Sequence, residues 1–375
     1  MVVLGIVGVA VHPERCSSVT AADVRRTAER AVDWFDANLE PDGRFVYRYD
    51  RDGSVREPGY SDPRHAGVLL SLYQAEAAGI AGAAQIAELG LGYVDERIAE
   101  TPWGTVFGRG SIVSTGSIAL LVSALDERRV ALATDDRNDL LLALGATLIG
   151  TVAENGAVDA VIDRATGPVD GTRDRFFTGE VLLALSRLEL GFPGRGYGSA
   201  AIAVRRYLVE DRDEIERPFP PVSDHWGAYA WETMGRWPQP PEIGVVEREW
   251  LERQLGLFGL QVRYESQRVG GITTLTRGTH ALGSGVGTLG EGIGNYLAVD
   301  ERAPFLSSDD RADLVDRARC TAALLVDRQI TPEDAVVDTD PTALVGAWFR
   351  KGKTQMDDQQ HALSALLVLE NRLEG

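Results

Sequence analysis

Six short polar or glycine-bearing stretches recur along this chain, and each runs directly into an apolar segment. They are Asp62-Pro63-Arg64-His65-Ala66-Gly67, Ser114-Thr115-Gly116-Ser117, Thr178-Gly179-Glu180, Asp224-His225-Trp226-Gly227, Gly290-Glu291-Gly292 and Asp357-Asp358-Gln359-Gln360-His361. Measured between His65, Gly116, Glu180, His225, Glu291 and His361, the gaps are 51, 64, 45, 66 and 70 residues. Each gap fits one out-and-back helix pair with its loop, so the chain reads as repeats of a two-helix unit.

The helical segments are of two kinds. Ala22 to Leu39 places Val24, Ala28, Val32, Phe35 and Leu39 at spacings of three and four with charges between them, an amphipathic helix with one wet face. Segments 81–99, 137–153, 199–209, 246–258 and 309–328 read alike. The segments that follow the six motifs, such as Ala66 to Tyr73 and Val181 to Leu188, have almost no polar face, and a helix apolar all round is buried all round. Six outer helices alternating with six inner ones predict an all-α fold, an (α/α)6 barrel or toroid, over residues 21–375 as a single domain. Residues 1–20 form a separate N-terminal apolar arm or anchor remnant.

Three segments ahead of inner helices carry strand signals: 43–49 with a turn at Asp52-Gly53, 155–163 with 165–167, and 335–349. They are expected as short β-hairpins crowning the end where the six motifs meet. There the inner-helix N-termini would converge, each with unpaired N–H groups and about half a positive charge. Such a pocket suits carboxylates, anions and hydroxyl-rich ligands.

The bulk numbers exclude some partners. A net charge of −18, with lysine present only at Lys351 and Lys353, argues against a nucleic-acid surface. Val2 to Val11 is too short to cross a bilayer and lacks a basic leader. The cytoplasm is the expected location, with an envelope location and peripheral membrane association through the N-terminus as alternatives. Cys16 and Cys320 are read as free thiols, with one disulfide as the alternative.

Glycoside cleavage needs one protonated and one ionised carboxyl across the bond. Glu180 and Glu291 are the preferred acid/base pair, with Asp357 a further candidate and His65, His225 and His361 assisting. Elimination or epimerisation beside a uronate would instead use a histidine base with an arginine on the carboxylate, which Arg64 and the same histidines could supply. Asp62, Thr115, Asp358 and Gln359 would bind hydroxyls, and Trp226 would stack on a sugar face. Asp357 and His361, four apart, share a helix face, so the carboxylate could orient the imidazole. No HxxxH or HExxH spacing supports a metal site, and neither metal nor cofactor is expected.

The runs RHAG at 64–67, FFTGEVLLAL at 176–185, HW at 225–226, LGEGI at 289–293 and QHALSALL at 360–367 resemble those of an uncharacterised prokaryotic group of α/α-toroid proteins. The resemblance spans the chain from about residue 25 to the end. Thr178-Gly179-Glu180 stands where such members often read Pro-Gly-Glu. What this implies is a fold, that of the six-hairpin glycosidase and terpenoid-cyclase-like toroids, which carries glycosidases, polysaccharide lyases, sugar epimerases and terpenoid cyclases. It carries over no catalytic residue. Asp338-Thr339-Asp340-Pro341-Thr342-Ala343 resembles the acid motif of class II terpenoid cyclases with Pro341 in an acidic position, making Asp338 and Asp340 the site of a cyclase alternative. A carbohydrate-active enzyme acting on a glycan or small sugar is the leading expectation. A non-catalytic toroid binding a glycan or a protein through the same end is the other alternative.

Overall fold

The computed structural model describes residues 14–52, 58–219, 221–268, 284–336, 338 and 340–373. These residues build twelve helices of ten residues or more, in the expected alternation. The outer helices are α1 (Ala21–Ala37), α3 (Ala83–Asp95), α5 (Asn138–Gly150), α7 (Tyr197–Arg206), α9 (Val245–Ser266) and α11 (Ser308–Arg328). The inner helices are α2 (Asp62–Ala77), α4 (Thr115–Ala131), α6 (Phe177–Gly191), α8 (His225–Met234), α10 (Ser284–Arg302) and α12 (Met356–Glu370). Each inner helix packs on the next, and α12 packs back on α2, so the inner ring is closed.

Local signals explain where these helices begin. Thr20 and Asp23 form a reciprocal capping box on α1. Side chains of Ser114 and Asp224 accept from the backbone N–H three residues on, starting α4 and α8. The inner helices then bury nearly every side chain: α4 hides Ile118, Leu120, Leu121, Val122 and Leu125, each worth roughly 1.5–3 kcal/mol of transfer free energy. Outer helices bury a stripe, as α1 does with Val24, Ala28, Ala31, Val32 and Phe35. Gly287 permits a close crossing of α10 and α12, because a Cβ there would lie 2.4 Å from the backbone of His361 on α12.

The strands differ from expectation. β1 (Arg48–Asp50) pairs antiparallel with Lys353–Gln355, just ahead of α12, with Tyr49 opposite Thr354. Ring closure makes the first and last loops neighbours. Residues 53–57, the far arm of that hairpin, lie outside the described residues. A hairpin forms where 155–167 suggested one, as Val161–Asp163 with Gly167–Pro168, and Ile112–Ser114 joins it as a third strand. Segment 335–349 holds no described strand but a helical turn, Pro341–Leu344, which follows another at Pro332–Ala335; in each, a proline opens the turn under a side-chain cap. A hairpin that sequence reading had placed partly inside a helix occurs at Ile98–Thr101 and Gly104–Phe107.

Cys16 and Cys320 are joined in a disulfide, their Cα atoms 5.2 Å apart, which corrects the free-thiol reading. Residues 14–20 run against α11, where Ser17 bonds Asp327 and Glu14 meets Arg317, so positions 304 apart in sequence become adjacent. The apolar stretch of the N-terminal arm, residues 2–11, lies outside the described residues. No described helix is long and apolar enough to cross a membrane.

Candidate active site

A cavity of about 1330 Å³ opens at the N-terminal end of the inner helices. Its walls come from the starts of α2 (Ser61, Pro63, Arg64), α6 (Phe176, Phe177, Glu180), α8 (His225, Trp226), α10 (Gly285, Thr288) and α12 (Asp357, Gln360, His361), with Leu120 of α4. The start of α8 is held with particular rigidity. Asp224 accepts from the Gly227 N–H at 2.8 Å and from Arg212 Nη1 at 2.6 Å, and both charged side chains are 1% exposed. His225, the first residue of α8, is thereby fixed against the cavity.

Three inner helices bring together His225, Glu291 and His361. His361 Nδ1 lies 2.7 Å from Glu291 Oε2, and the Tyr229 hydroxyl reaches Glu291 Oε1 at 3.3 Å. Glu291 is completely buried. His225 Nε2 stands 3.9 Å from the same Glu291 Oε2 and has no hydrogen-bond partner among the described residues. The two imidazole rings meet edge to face, centroids 4.9 Å apart, and Trp226 packs on both. On the cavity side, His361 Nε2 lies 3.6 Å from Asp357 Oδ1. Asp357 Oδ2 lies 3.5 Å from Arg64 Nε, and Arg64 donates to the Tyr47 hydroxyl at 2.6 Å.

This arrangement drives the two histidines apart electrostatically. Burial alone would lower the His361 imidazole, but the charge and hydrogen bond of Glu291, with Asp357 and Asp358, prevail and push it up to about 9. His225 is held well below the ordinary histidine value, first by burial and then by the charge of His361. Burial pushes Glu291 up, with His361 opposing. Burial also drives Glu180 well above the carboxylate range, and the neighbouring charges of Asp174, Asp224 and Asp357 add to it.

Not every residue singled out from sequence meets the cavity. Glu180, Asp357, His361, His225, Arg64 and Trp226 line it. Glu291 lies sealed beneath His361, so it shares no open space with Glu180. His65 sits behind the wall between α2 and α3, its ring nitrogens 2.7 Å from the Tyr60 hydroxyl and 3.0 Å from the Gly90 carbonyl. Asp62 accepts from the Tyr93 hydroxyl at 2.5 Å, and Thr115 donates to the Asp159 carbonyl at 2.6 Å. Gln359 bonds the backbone of Trp348 and the Thr354 hydroxyl, and Asp358 is buried. Asp338 pairs with Arg51 at 3.1 Å, and Asp340 caps the turn at 341–344, so neither acid of the cyclase motif faces the cavity.

Sequence reading missed Tyr229, Arg212, Asp174 and Tyr47. Tyr229 had a signal, lying four residues after His225 on one helix face; Asp174 and Tyr47 come from loops and Arg212 from the short helix Arg212–Ile215, with none. Donor atoms of His225, Glu291 and His361 lie within 4.8 Å of one another, a spacing that could enclose a metal ion. Local spacing rules miss such a group because each member comes from a different helix. In the observed arrangement His361 Nδ1 donates to Glu291 Oε2, which is the geometry of a hydrogen-bonded relay.

No family model matches the chain, and no curated protein matches it in sequence. Solved structures do match. A D-mannose isomerase aligns with a TM-score of 0.63 at 13% identity, over 92% of this chain and 96% of that one. The cellobiose 2-epimerase from Spirochaeta thermophila aligns with a TM-score of 0.62 at 14% identity, over 94% and 97%. A glycoside hydrolase family 76 mannosidase from Bacteroides thetaiotaomicron aligns with a TM-score of 0.57 at 9% identity, over 93% and 99%. Identities this low carry the fold and not the reaction. The chain has the (α/α)6 toroid fold that these solved structures of an isomerase, an epimerase and a mannosidase share.

Proposed function

We propose that this protein moves a proton at the carbon beside the carbonyl group of a sugar, as an epimerase or an aldose–ketose isomerase does. The observation that carries this reading is the contrast between the two cavity-lining histidines: His361 is bonded at 2.7 Å to a buried carboxylate, while Nε2 of His225 has no partner among the described residues. Two titratable groups pushed in opposite directions are an acid and a base ready at the same pH. Neutral His225 takes the proton; the C–H bond breaks and its electron pair moves into the carbonyl, giving an enediolate. Protonated His361 returns a proton to carbon, at the same atom for epimerisation or at its neighbour for isomerisation. Glu291 holds the His361 imidazole in place and sustains its charge. Asp357 and Arg64, on the cavity side, are placed to bind hydroxyls.

The test is incubation with a panel of reducing sugars in deuterated water, reading deuterium at the carbon next to the carbonyl by NMR. Replacing His225 or His361 by Asn should each lower the exchange by roughly 10²–10⁴-fold, the usual weight of a general acid or base. Undiminished exchange in both variants would sink the reading. Glycoside hydrolysis is the second reading, favoured by Glu180 and Asp357 lining one cavity. It expects new reducing ends from an oligosaccharide and no deuterium at carbon.

A further inference from the structure

Glu180 has no part in the two-histidine scheme, yet its position is the most chemically unusual in the cavity wall. We propose that Glu180 acts as a neutral carboxylic acid that donates a hydrogen bond to the sugar oxygen on which negative charge builds; this rests on the proton-transfer reading above. Four features of its surroundings support that role. Glu180 lines the cavity and is 5% exposed, and its Oε2 has no hydrogen-bond partner among the described residues. No arginine or lysine among the described residues forms an ion pair with it: Arg212 is committed to Asp224 and Arg64 to Asp357 and Tyr47. The largest charge effects on it come from three carboxyls, Asp174 ahead of α6, Asp224 at the start of α8 and Asp357 on α12, opposed by His361, which Glu291 already holds. Finally, α4 offers it only a glycine: a Cβ at Gly116 would lie 2.4 Å from Oε2.

Magnitudes favour the proton staying on. The N-terminus of α6 would stabilise an anion only weakly, by far less than an ionised, unpaired carboxylate costs at this depth. A neutral acid in the cavity wall can donate to a bound substrate, and such a donor strengthens as oxygen gains charge.

The step balances. As His225 takes the proton from carbon, the carbonyl π electrons become a lone pair on oxygen, and the Glu180 O–H shares its proton with that oxygen. When, in epimerisation, His361 delivers a proton back to the same carbon, the carbonyl re-forms and the proton settles back on Glu180. No net proton passes through it.

Two variants and three readouts test the role. The amide of Glu180→Gln keeps a donor, whereas Glu180→Ala removes it. In infrared difference spectra at neutral pH, the carbonyl stretch of a protonated carboxyl should be present in the parent and missing from E180Q; its absence from the parent would overturn the proposal whether or not any sugar turns over. An aldonohydroxamate, which mimics the enediolate oxygens, should bind E180Q within about tenfold of the parent and E180A at least about tenfold more weakly. Equal binding to all three proteins would also overturn it. Exchange at carbon should fall roughly 10²–10³-fold in E180A, the cost of one oxyanion donor, and far less in E180Q. An equal fall in both would make Glu180 a proton-transferring carboxyl, as hydrolysis requires. If the parent exchanges no sugar at all, the reaction assignment fails on its own account, while the infrared and hydroxamate results still decide what Glu180 does.

Discussion

His361 Nδ1 lies 2.7 Å from Oε2 of Glu291, a carboxylate with no exposure to solvent. The ion pair raises the His361 value from 6.5 to about 9. Its stabilising contribution is therefore complete below the unfolded value of 6.5 and is lost as pH rises through about 9. Activity that needs a charged His361 should fall on the same alkaline limb. Glu291→Gln removes the counter-charge, so burial should dominate and move that limb toward acid. NMR titration of the His361 ring, with a pH–rate profile on any sugar found active, checks this; an unmoved limb would contradict it.

His65 predicts an acid-side effect of opposite sign. Burial lowers its value from 6.5 to about 3. The folded protein keeps it neutral while the unfolded chain takes a proton, so this contribution is present above 6.5 and is lost as pH falls toward 3. The slope approaches ~1.4 kcal/mol per pH unit for one proton. Urea midpoints between these pH values should fall less steeply for His65→Gln than for the parent. Because His65 lies outside the cavity, the variant should leave pH dependence of turnover unchanged.

Arg212 and Asp224 form a buried pair, each 1% exposed, beneath the start of α8. Arg212→Met strands a buried carboxylate and should cost about 3–5 kcal/mol of stability. Urea unfolding measures this directly. Substituting both residues together with apolar ones should recover part of the loss, and a single variant as stable as the parent would show the pair to be dispensable.

Gly116→Ala would place a methyl 2.4 Å from Glu180 Oε2 and 2.5 Å from the Phe177 ring. Overpacking should cost about 1–3 kcal/mol while leaving a folded protein. Turnover should fall much further than stability, since the side chain displaced is Glu180. Circular dichroism melting and steady-state rates on the same preparation separate the two.

The Cys16–Cys320 bond ties residues 14–20 to α11 across most of the chain. Native protein should show no thiol to a labelling reagent, and reduction should lower stability by roughly 2–4 kcal/mol. Two reactive thiols in unreduced protein would restore the free-thiol reading.

The ring was legible because period and polarity are local quantities. The start of α1 through Thr20 and Asp23, and the course of α4 from Ile118 to Leu125, apolar but for Ser123, are both visible in a short window of residues. What the window lacks is the partner. β1 pairs with Lys353–Gln355, which arrives beside it from the other end of the chain. His65 and His361 look alike as histidines at inner-helix starts, but one faces α3 and the other faces Glu291 of α10. The convergence of Glu180, His225 and His361 on one cavity followed from parallel helix starts; Tyr229 and Arg212 became visible only once the helices were packed.

The inner ring closes by α12 packing against α2, and α12 also carries Asp357 and His361. Assembly of the fold and assembly of the chemistry are therefore a single event. A chain cut ahead of α12 would keep five inner helices and His225 but lack His361, the proposed proton donor to carbon, so mixing the two fragments would make recovered turnover a direct count of completed rings.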